Sequence, residues 1–207
     1  MSACVASAGA SSCTPPERPA EALLDDAPAV APREFDDALV GALPRGAHYL
    51  HGLFPADVLA RLEERQWEIA PTASSNNMLC ARAFFNDPSL AAELLGYLPG
   101  ALGFSHVCSD LRFLRYPLGG FIAPHVDGVR CDEDNGRETT TSFLLYLETV
   151  PVNEGGETEF LTGVDDGDVV CAARPIAGSI LIFPHGLPHQ GSGVGKFPKV
   201  LLRGDLY

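Results

Sequence analysis

The sequence predicts a mainly β domain with a few supporting α-helices, folded as a double-stranded β-helix, or jelly roll. Three observations lead there. From Gly103 onward, short apolar stretches alternate with turns rich in Gly, Asp and Pro, the pattern of a sandwich or barrel rather than of alternating β and α units. The number of those stretches approaches the eight strands with which a double-sheet jelly roll solves its edge problem. Both helical stretches precede this region, so they back a sheet instead of linking its strands.

In chain order, residues 1–33 are rich in Ser, Ala and Pro without a sustained hydrophobic period, which predicts a disordered tail. Its first sixteen residues hold no basic side chain and no apolar core, which argues against a secretory signal. The expected location is cytoplasmic. The Ser/Ala-rich tail keeps an organellar transit segment as the alternative, weakened because the first arginine is Arg18. Residues 34–207 read as a single domain, with supporting helices within 55–98 and the jelly-roll core at about 104–207.

Pro55 to Ile69 places Val58, Leu59, Leu62 and Ile69 at helical spacing, with Pro55 suited to the first turn. An apolar stretch around Met78 to Phe85 reads as a strand. Pro88 to Leu98 reads as a second helix, with Leu90, Leu94, Leu95 and Leu98 on one side. Further strands are expected at 106–116, 121–126, 139–148, 157–161, 168–173, 179–184 and 197–206. The loop Gly128 to Glu138 carries Asp132, Glu133 and Asp134 and reads as a solvated acidic turn, with a mobile lip over a site as the alternative.

Composition narrows the function. The net charge is −13, and no basic cluster falls on a predicted helix. A long polyanion would gain little by counterion release, which argues against nucleic acid. Apolar runs are only a few residues long, so no membrane span is expected. The six cysteines (Cys4, Cys13, Cys80, Cys108, Cys131 and Cys171) lack paired or metal-type spacing and read as reduced thiols. Cys80, Cys108 and Cys171 read as buried small hydrophobes.

The chemistry concentrates around His125-Val126-Asp127. On an extended chain, side chains two apart share a face, so this imidazole and carboxylate can bind one metal. A second His from a distant strand would complete two imidazoles and a carboxylate, the facial ligand set of non-haem Fe(II) oxygenases. His189 and His185 both follow the apolar stretch ending at Phe183. The two lysines of the chain, Lys196 and Lys199, also follow closely and are candidates for a fixed cation.

Further stretches complete one picture: Arg115-Tyr116-Pro117-Leu118-Gly119-Gly120; Thr141 to Leu147; Gly155-Gly156-Glu157-Thr158-Glu159-Phe160; Pro175 to Phe183; His189-Gln190-Gly191; and Leu202-Arg203-Gly204-Asp205-Leu206-Tyr207. Together they resemble the prolyl 4-hydroxylase-like branch of the Fe(II)/2-oxoglutarate-dependent dioxygenases, in that family's order, from about Leu111 to Tyr207. The ending is similar to that of the small stand-alone members.

The resemblance implies that His125, Asp127 and His189 hold Fe(II), with His185 beside the ligands or on the surface. It implies that Lys199, ten residues past His189, pairs with the distal carboxylate of 2-oxoglutarate. Lys196 and Arg203 are the competing cations, Lys196 reading as solvent-facing and Arg203 as a structural ion pair with Asp205. Tyr146 and Thr158 are further candidates for the distal carboxylate, and Tyr116 for the iron-chelating end. Tyr207 is expected as a packed terminal aromatic. The implied co-substrates are 2-oxoglutarate and O2, with ascorbate as an accessory reductant. The implied reaction is hydroxylation of a C–H bond with release of succinate and CO2, the intact Asp127 favouring hydroxylation over halogenation.

The implied partner is a small-molecule or peptide substrate: peptidyl proline, a free amino acid or another metabolite. Oligomeric state is not legible. Phe121, Glu148 and the segment Gly136 to Ser142 depart from the family pattern and leave the substrate open. Two rivals stay in play: a non-catalytic metal-binding jelly roll, and a zinc-dependent hydrolase whose fourth ligand is water.

Overall fold

The computed structural model describes residues 38–207 apart from 73, 74, 76, 133 and 134. The tail expected over 1–33 lies outside the described residues, as do Glu133 and Asp134 of the acidic loop. The strands are β1 (Leu39–Gly41), β2 (His48–Leu50), β3 (Ala81–Asn86), β4 (Asp110–Tyr116), β5 (Ile122–His125) and β6 (Thr141–Tyr146). They continue as β7 (Thr158–Leu161), β8 (Val169–Ala173), β9 (Ile180–Pro184), β10 (His189–Gly191) and β11 (Lys199–Leu206). The helices are α1 (Ala56–Glu68) and α2 (Pro88–Tyr97), with a short 3₁₀ turn at Gly100–Leu102.

Local chemistry explains both helices. α1 starts directly after Pro55 and buries Val58, Leu62 and Gln66, one stripe at four-residue spacing. Ile69 falls past its end, on extended backbone. α2 has Pro88 in its first turn, and the Asp87 carboxylate accepts the Leu90 N–H at 2.9 Å, closing one of the amides that a helix start leaves open.

The strands form two antiparallel sheets. The larger has the order β2-β9-β6-β11-β4-β3, the smaller β1-β8-β7-β10-β5. As the sequence predicts, α1 and α2 back a sheet: Val58, Leu62, Leu90 and Leu94 pack with Phe113, Phe143, Leu145, Ile180, Ile182, Val200 and Leu202 on the outer face of the larger one. A second core joins the opposite face (Leu114, Tyr146, Leu181, Phe183, Leu201) to the smaller sheet (Phe160, Cys171, Ala173). The two-layer architecture is therefore the predicted jelly roll.

Three strands, β1, β2 and β10, are absent from the sequence reading. Each is three residues long, too short to show a period of two. β3 begins at Ala81, because Met78 is taken by an isolated bridge to Ile122 instead of the ladder to β4. The acidic loop is not simply a solvated turn. Asp132 is buried and accepts the Tyr207 hydroxyl at 2.6 Å and the Asn135 amide at 3.0 Å. That ties the loop to the packed terminal tyrosine, which stacks on His106. Cys80, Cys108 and Cys171 are buried as expected, and no disulfide forms among the described cysteines.

Candidate metal centre

Antiparallel pairing brings the two histidines together. β10 lies between β5 and β7, and in this register His189 stands directly opposite His125, with ring centroids 4.2 Å apart. Asp127 follows His125 by two residues, its N–H held by the His185 carbonyl at 2.9 Å. Its side chain meets both rings: Oδ1 lies 3.6 Å from His125 Nε2, and Oδ2 lies 3.7 Å from His189 Nε2. One ligand atom from each residue lies within 4.8 Å of the others.

The protonation pattern suits a metal. His125 Nδ1 contacts the Ala123 carbonyl and His189 Nδ1 the Leu187 carbonyl, each at 2.9 Å. A carbonyl only accepts, so each Nδ1 carries the proton and each Nε2 turns a lone pair toward Asp127. Burial pushes His189 down to about 4, which keeps it neutral at physiological pH. Burial alone would raise the Asp127 carboxyl, but its contacts with His125, His189 and Ser142 outweigh this and hold it below the usual range. For His125 burial also works against the charge, but its contacts with Asp127 and the Ala123 carbonyl outweigh it and raise the pKa, so a metal would compete with a proton at this ring. Two imidazoles and one carboxylate fit divalent iron, and cavities lie on two sides of them.

A polar layer orients the carboxylate. Ser142 Oγ donates to Asp127 Oδ2 at 2.6 Å and lies 2.9 Å from His185 Nδ1, whose ring reaches Thr139 through Nε2 at 2.9 Å. His185 thus sits behind the candidate ligands rather than among them. Arg203 departs from expectation. Its Nη2 lies 3.5 Å from Asp205 but only 2.6 Å from Asp127 Oδ1, so its shorter bond goes to a candidate metal ligand.

The remaining predicted residues gather at a second point. Lys199 is fully buried, with Nζ 3.3 Å from Thr158 Oγ1, 4.9 Å from the Tyr116 ring centre and 5.8 Å from that of Tyr146. The Tyr146 hydroxyl and Thr158 Oγ1 are 2.9 Å apart. Among the described residues no carboxylate comes within salt-bridge distance of Lys199. Burial lowers its pKa to about 8. Lys196, the rival lysine, is exposed.

Two cavities lie beside these groups. A small one of about 30 Å³ is lined by Tyr116, Thr158, His189 and Gln190, among others. A larger one of about 300 Å³ is lined by Met78, Arg82, Arg112, Pro124 and Asp127. Leu114, Ile122, His125 and Arg203 border both. The sequence reading missed Ser142, Arg82 and Arg112. The available signal was period two: Arg112 shares a strand face with Tyr116, and Ser142 with Tyr146.

Residues 111–204 match the family model described as the 2OG-Fe(II) oxygenase superfamily, a span that contains every candidate residue from Arg112 to Arg203. No curated protein matches the chain. Among solved structures, a prolyl-4-hydroxylase from Pseudomonas putida is similar at 22% identity and TM-score 0.58, covering 78% of this chain and 91% of that one. HygX from Streptomyces hygroscopicus, solved with nickel and 2-oxoglutarate, is similar at 12% identity and TM-score 0.57, covering 80% and 87%. A Trichoplax adhaerens prolyl hydroxylase, solved with a hypoxia-inducible-factor peptide, is similar at 15% identity and TM-score 0.56, covering 78% and 83%. At these identities the structural likenesses establish the fold.

Proposed function

We propose that this chain is a 2OG-Fe(II) oxygenase, on the support of the family-model match over residues 111–204, and that it hydroxylates a C–H bond of a small-molecule or peptide substrate and releases succinate and CO2. The observation that carries this reading is a pair of stations beside one small cavity, whose lining includes His125 and His189 from the first and Thr158 and Tyr116, the neighbours of Lys199, from the second. At one, His125, Asp127 and His189 converge; at the other, Lys199 waits without a carboxylate partner among the described residues.

His125, Asp127 and His189 would hold Fe(II), each His through Nε2. Lys199 Nζ would take the distal carboxylate of 2-oxoglutarate, with the Thr158 and Tyr146 hydroxyls as hydrogen-bonding neighbours. A dicarboxylate needs this fixed cation, and a buried ammonium serves as a point charge with three donors. When bound, iron and 2-oxoglutarate supply O2 activation coupled to oxidative decarboxylation and the transfer of one oxygen atom to substrate. The chain's own part is to orient and to exclude water. Ser142 and Arg203 fix both oxygens of Asp127, Phe160 and Phe183 pack against the His189 ring, and Leu114, Leu144 and Ile122 make an apolar wall.

The proposed extent is one oxygenase domain over 34–207. We place it in a reducing compartment, on the support of buried described cysteines that form no disulfide. Peptidyl proline is the first substrate to test, because two of the similar structures are prolyl hydroxylases. The experiment follows succinate release with Fe(II) and 2-oxoglutarate across proline-rich peptides and free amino acids. The proposal expects turnover that requires iron and 2-oxoglutarate together. Activity supported by zinc in the absence of 2-oxoglutarate would overturn it in favour of a hydrolase.

A further inference from the structure

The larger cavity is lined by three guanidiniums. Arg82 comes from β3, Arg112 from β4 and Arg203 from β11, and the register sets Arg112 directly opposite Arg203. Like charges opposite one another on neighbouring strands are unfavourable, and among the described residues Arg203 alone of the three is paired, with Asp127 at 2.6 Å. Two of the three carboxylates nearby are paired elsewhere, and Asp205 attracts Arg112 without forming an ion pair with it. Asp127 binds Arg203 and faces the two imidazoles, Asp205 lies near Arg203 and Arg130, and Asp110 pairs with Arg130 at 3.1 Å.

Among the described residues, no carboxylate comes within salt-bridge distance of Arg82 or Arg112. Both guanidiniums flank the Phe84 ring instead, at 5.6 and 5.7 Å from its centre. Arg203 is itself buried, and its Nη1, like Nε of Arg82, has no hydrogen-bond partner among the described residues. Burial pulls the Arg112 pKa down against the attraction of Asp205 and Asp127. This positive lining is local, because the chain as a whole carries −13.

We propose that this cavity binds an anionic group, carboxylate or phosphate, of the molecule to be oxidised, with Arg112 and Arg82 as its counter-ions. This inference rests on the oxygenase reading and narrows its substrate. The guanidinium fork matches the planar geometry of a carboxylate and the oxygens of a phosphate. Met78, Leu114, Ile122 and Pro124 supply apolar walls for the carbon skeleton, and His125 and Asp127 border the same space. An anion held by the arginines would therefore place attached carbon beside the candidate metal centre. A neutral peptide would leave Arg82 and Arg112 without a direct ion-pair partner.

The test is anaerobic calorimetric titration of the full chain carrying Fe(II) and 2-oxoglutarate, which engages Lys199. Three probes are used: inorganic phosphate, N-acetylglycine and the neutral N-acetylglycinamide. The proposal expects at least one anion to bind about tenfold or more tighter than the amide, a preference worth about 1.4 kcal/mol. Arg112→Gln should erase that preference and Arg82→Gln should reduce it, the second variant serving if the first does not fold. Preference for N-acetylglycine alone or for phosphate alone identifies the anion. If neither anion binds better than the amide, or if both variants bind as the native chain does, the proposal is overturned. The phosphate titration is repeated without iron and 2-oxoglutarate. Binding that persists there and falls in Arg112→Gln supports the anion site even where the oxygenase reading fails.

Discussion

The two faces of the larger sheet are built from the same strands and follow different rules. On β11 all eight residues are buried, yet alternate side chains enter different surroundings. Val200, Leu202 and Leu206 join the apolar core under α1 and α2. Lys199, Arg203 and Asp205 point the other way, toward the candidate metal centre and its cavities. An apolar face is stable wherever shapes fit. A buried charge is tolerated only where something balances it. On the inner face Arg203 is balanced by Asp127 and Asp205, while Lys199 has no carboxylate within salt-bridge distance among the described residues; the outer face holds the frame.

The comparison predicts that substitutions on the two faces separate function from stability. The largest effect is expected for His125→Ala or Asp127→Ala, which should reduce succinate formation to background; His125→Ala should keep the far-ultraviolet spectrum and melting transition near native, whereas Asp127→Ala also strips the buried Arg203 of its closest partner and should lower the melting transition. Retained turnover in either variant would remove that residue from the ligand set. Lys199→Ala comes next. Losing one charge-assisted contact of about 1.5–3 kcal/mol should raise the KM for 2-oxoglutarate roughly 10- to 150-fold. A matching effect in Lys196→Ala alone would reassign the cation.

Ser142→Ala tests the layer behind the ligands. Loosening the Asp127 carboxylate should weaken iron affinity about 10- to 100-fold, read by metal titration. On the opposite face, Leu202→Ala should lower stability by about 2–5 kcal/mol in denaturant unfolding, with the KM for 2-oxoglutarate unchanged in the folded fraction. Gly204 belongs to this outer face as well. A Cβ there would come within 2.5–2.7 Å of the Phe143 ring and Leu111, so Gly204→Ala should cost about 1–3 kcal/mol through overpacking.

The sharpest contrast comes from Lys199, where the faces' rules oppose each other. Its pKa is lowered from 10.5 to about 8 in the folded chain. The unfolded chain therefore keeps the proton more readily, and burial of the charge opposes folding at neutral pH by about 3 kcal/mol. That penalty is fully present below about pH 8 and fades as pH rises toward 10.5, so this group makes the ligand-free chain more stable across that window. Binding of 2-oxoglutarate needs the charged form and should weaken over the same window. Lys199→Met should raise the melting temperature of the ligand-free protein, flatten its pH dependence there and still lose 2-oxoglutarate. Unchanged stability in that variant would mean that the ammonium is already compensated.

How much of this was legible in the sequence follows from the same contrast. β6 and β9 carry the apolar runs Phe143 to Tyr146 and Ile180 to Phe183, which locate them to within a few residues, and β11 is legible from Val200 to Leu202 between its charged residues. The helices were legible from their one-sided stripes. The His125–Asp127 pair was legible because period two needs no partner strand. That His189 stands opposite His125 was not, since β10 is three residues long and its register depends on both neighbours. The sequence pairs Arg203 with Asp205, and the two do lie 3.5 Å apart. The shorter contact of Arg203 is with Asp127, on a segment far away in sequence, and only the packing of one sheet over the other makes it. Arg82 and Arg112 carry no motif of their own, and only the strand register brings them to one cavity with Arg203.

The central claim is that one chain holds a metal through three side chains and grips a diacid through one buried ammonium. Anaerobic addition of 2-oxoglutarate to the Fe(II)-loaded chain tests it most directly. The account predicts a weak metal-to-ligand charge-transfer band in the visible that saturates with 2-oxoglutarate, disappears in His189→Ala and disappears in Lys199→Glu. A native chain that binds iron but develops no such band, or a band that persists undiminished in Lys199→Glu, would contradict it.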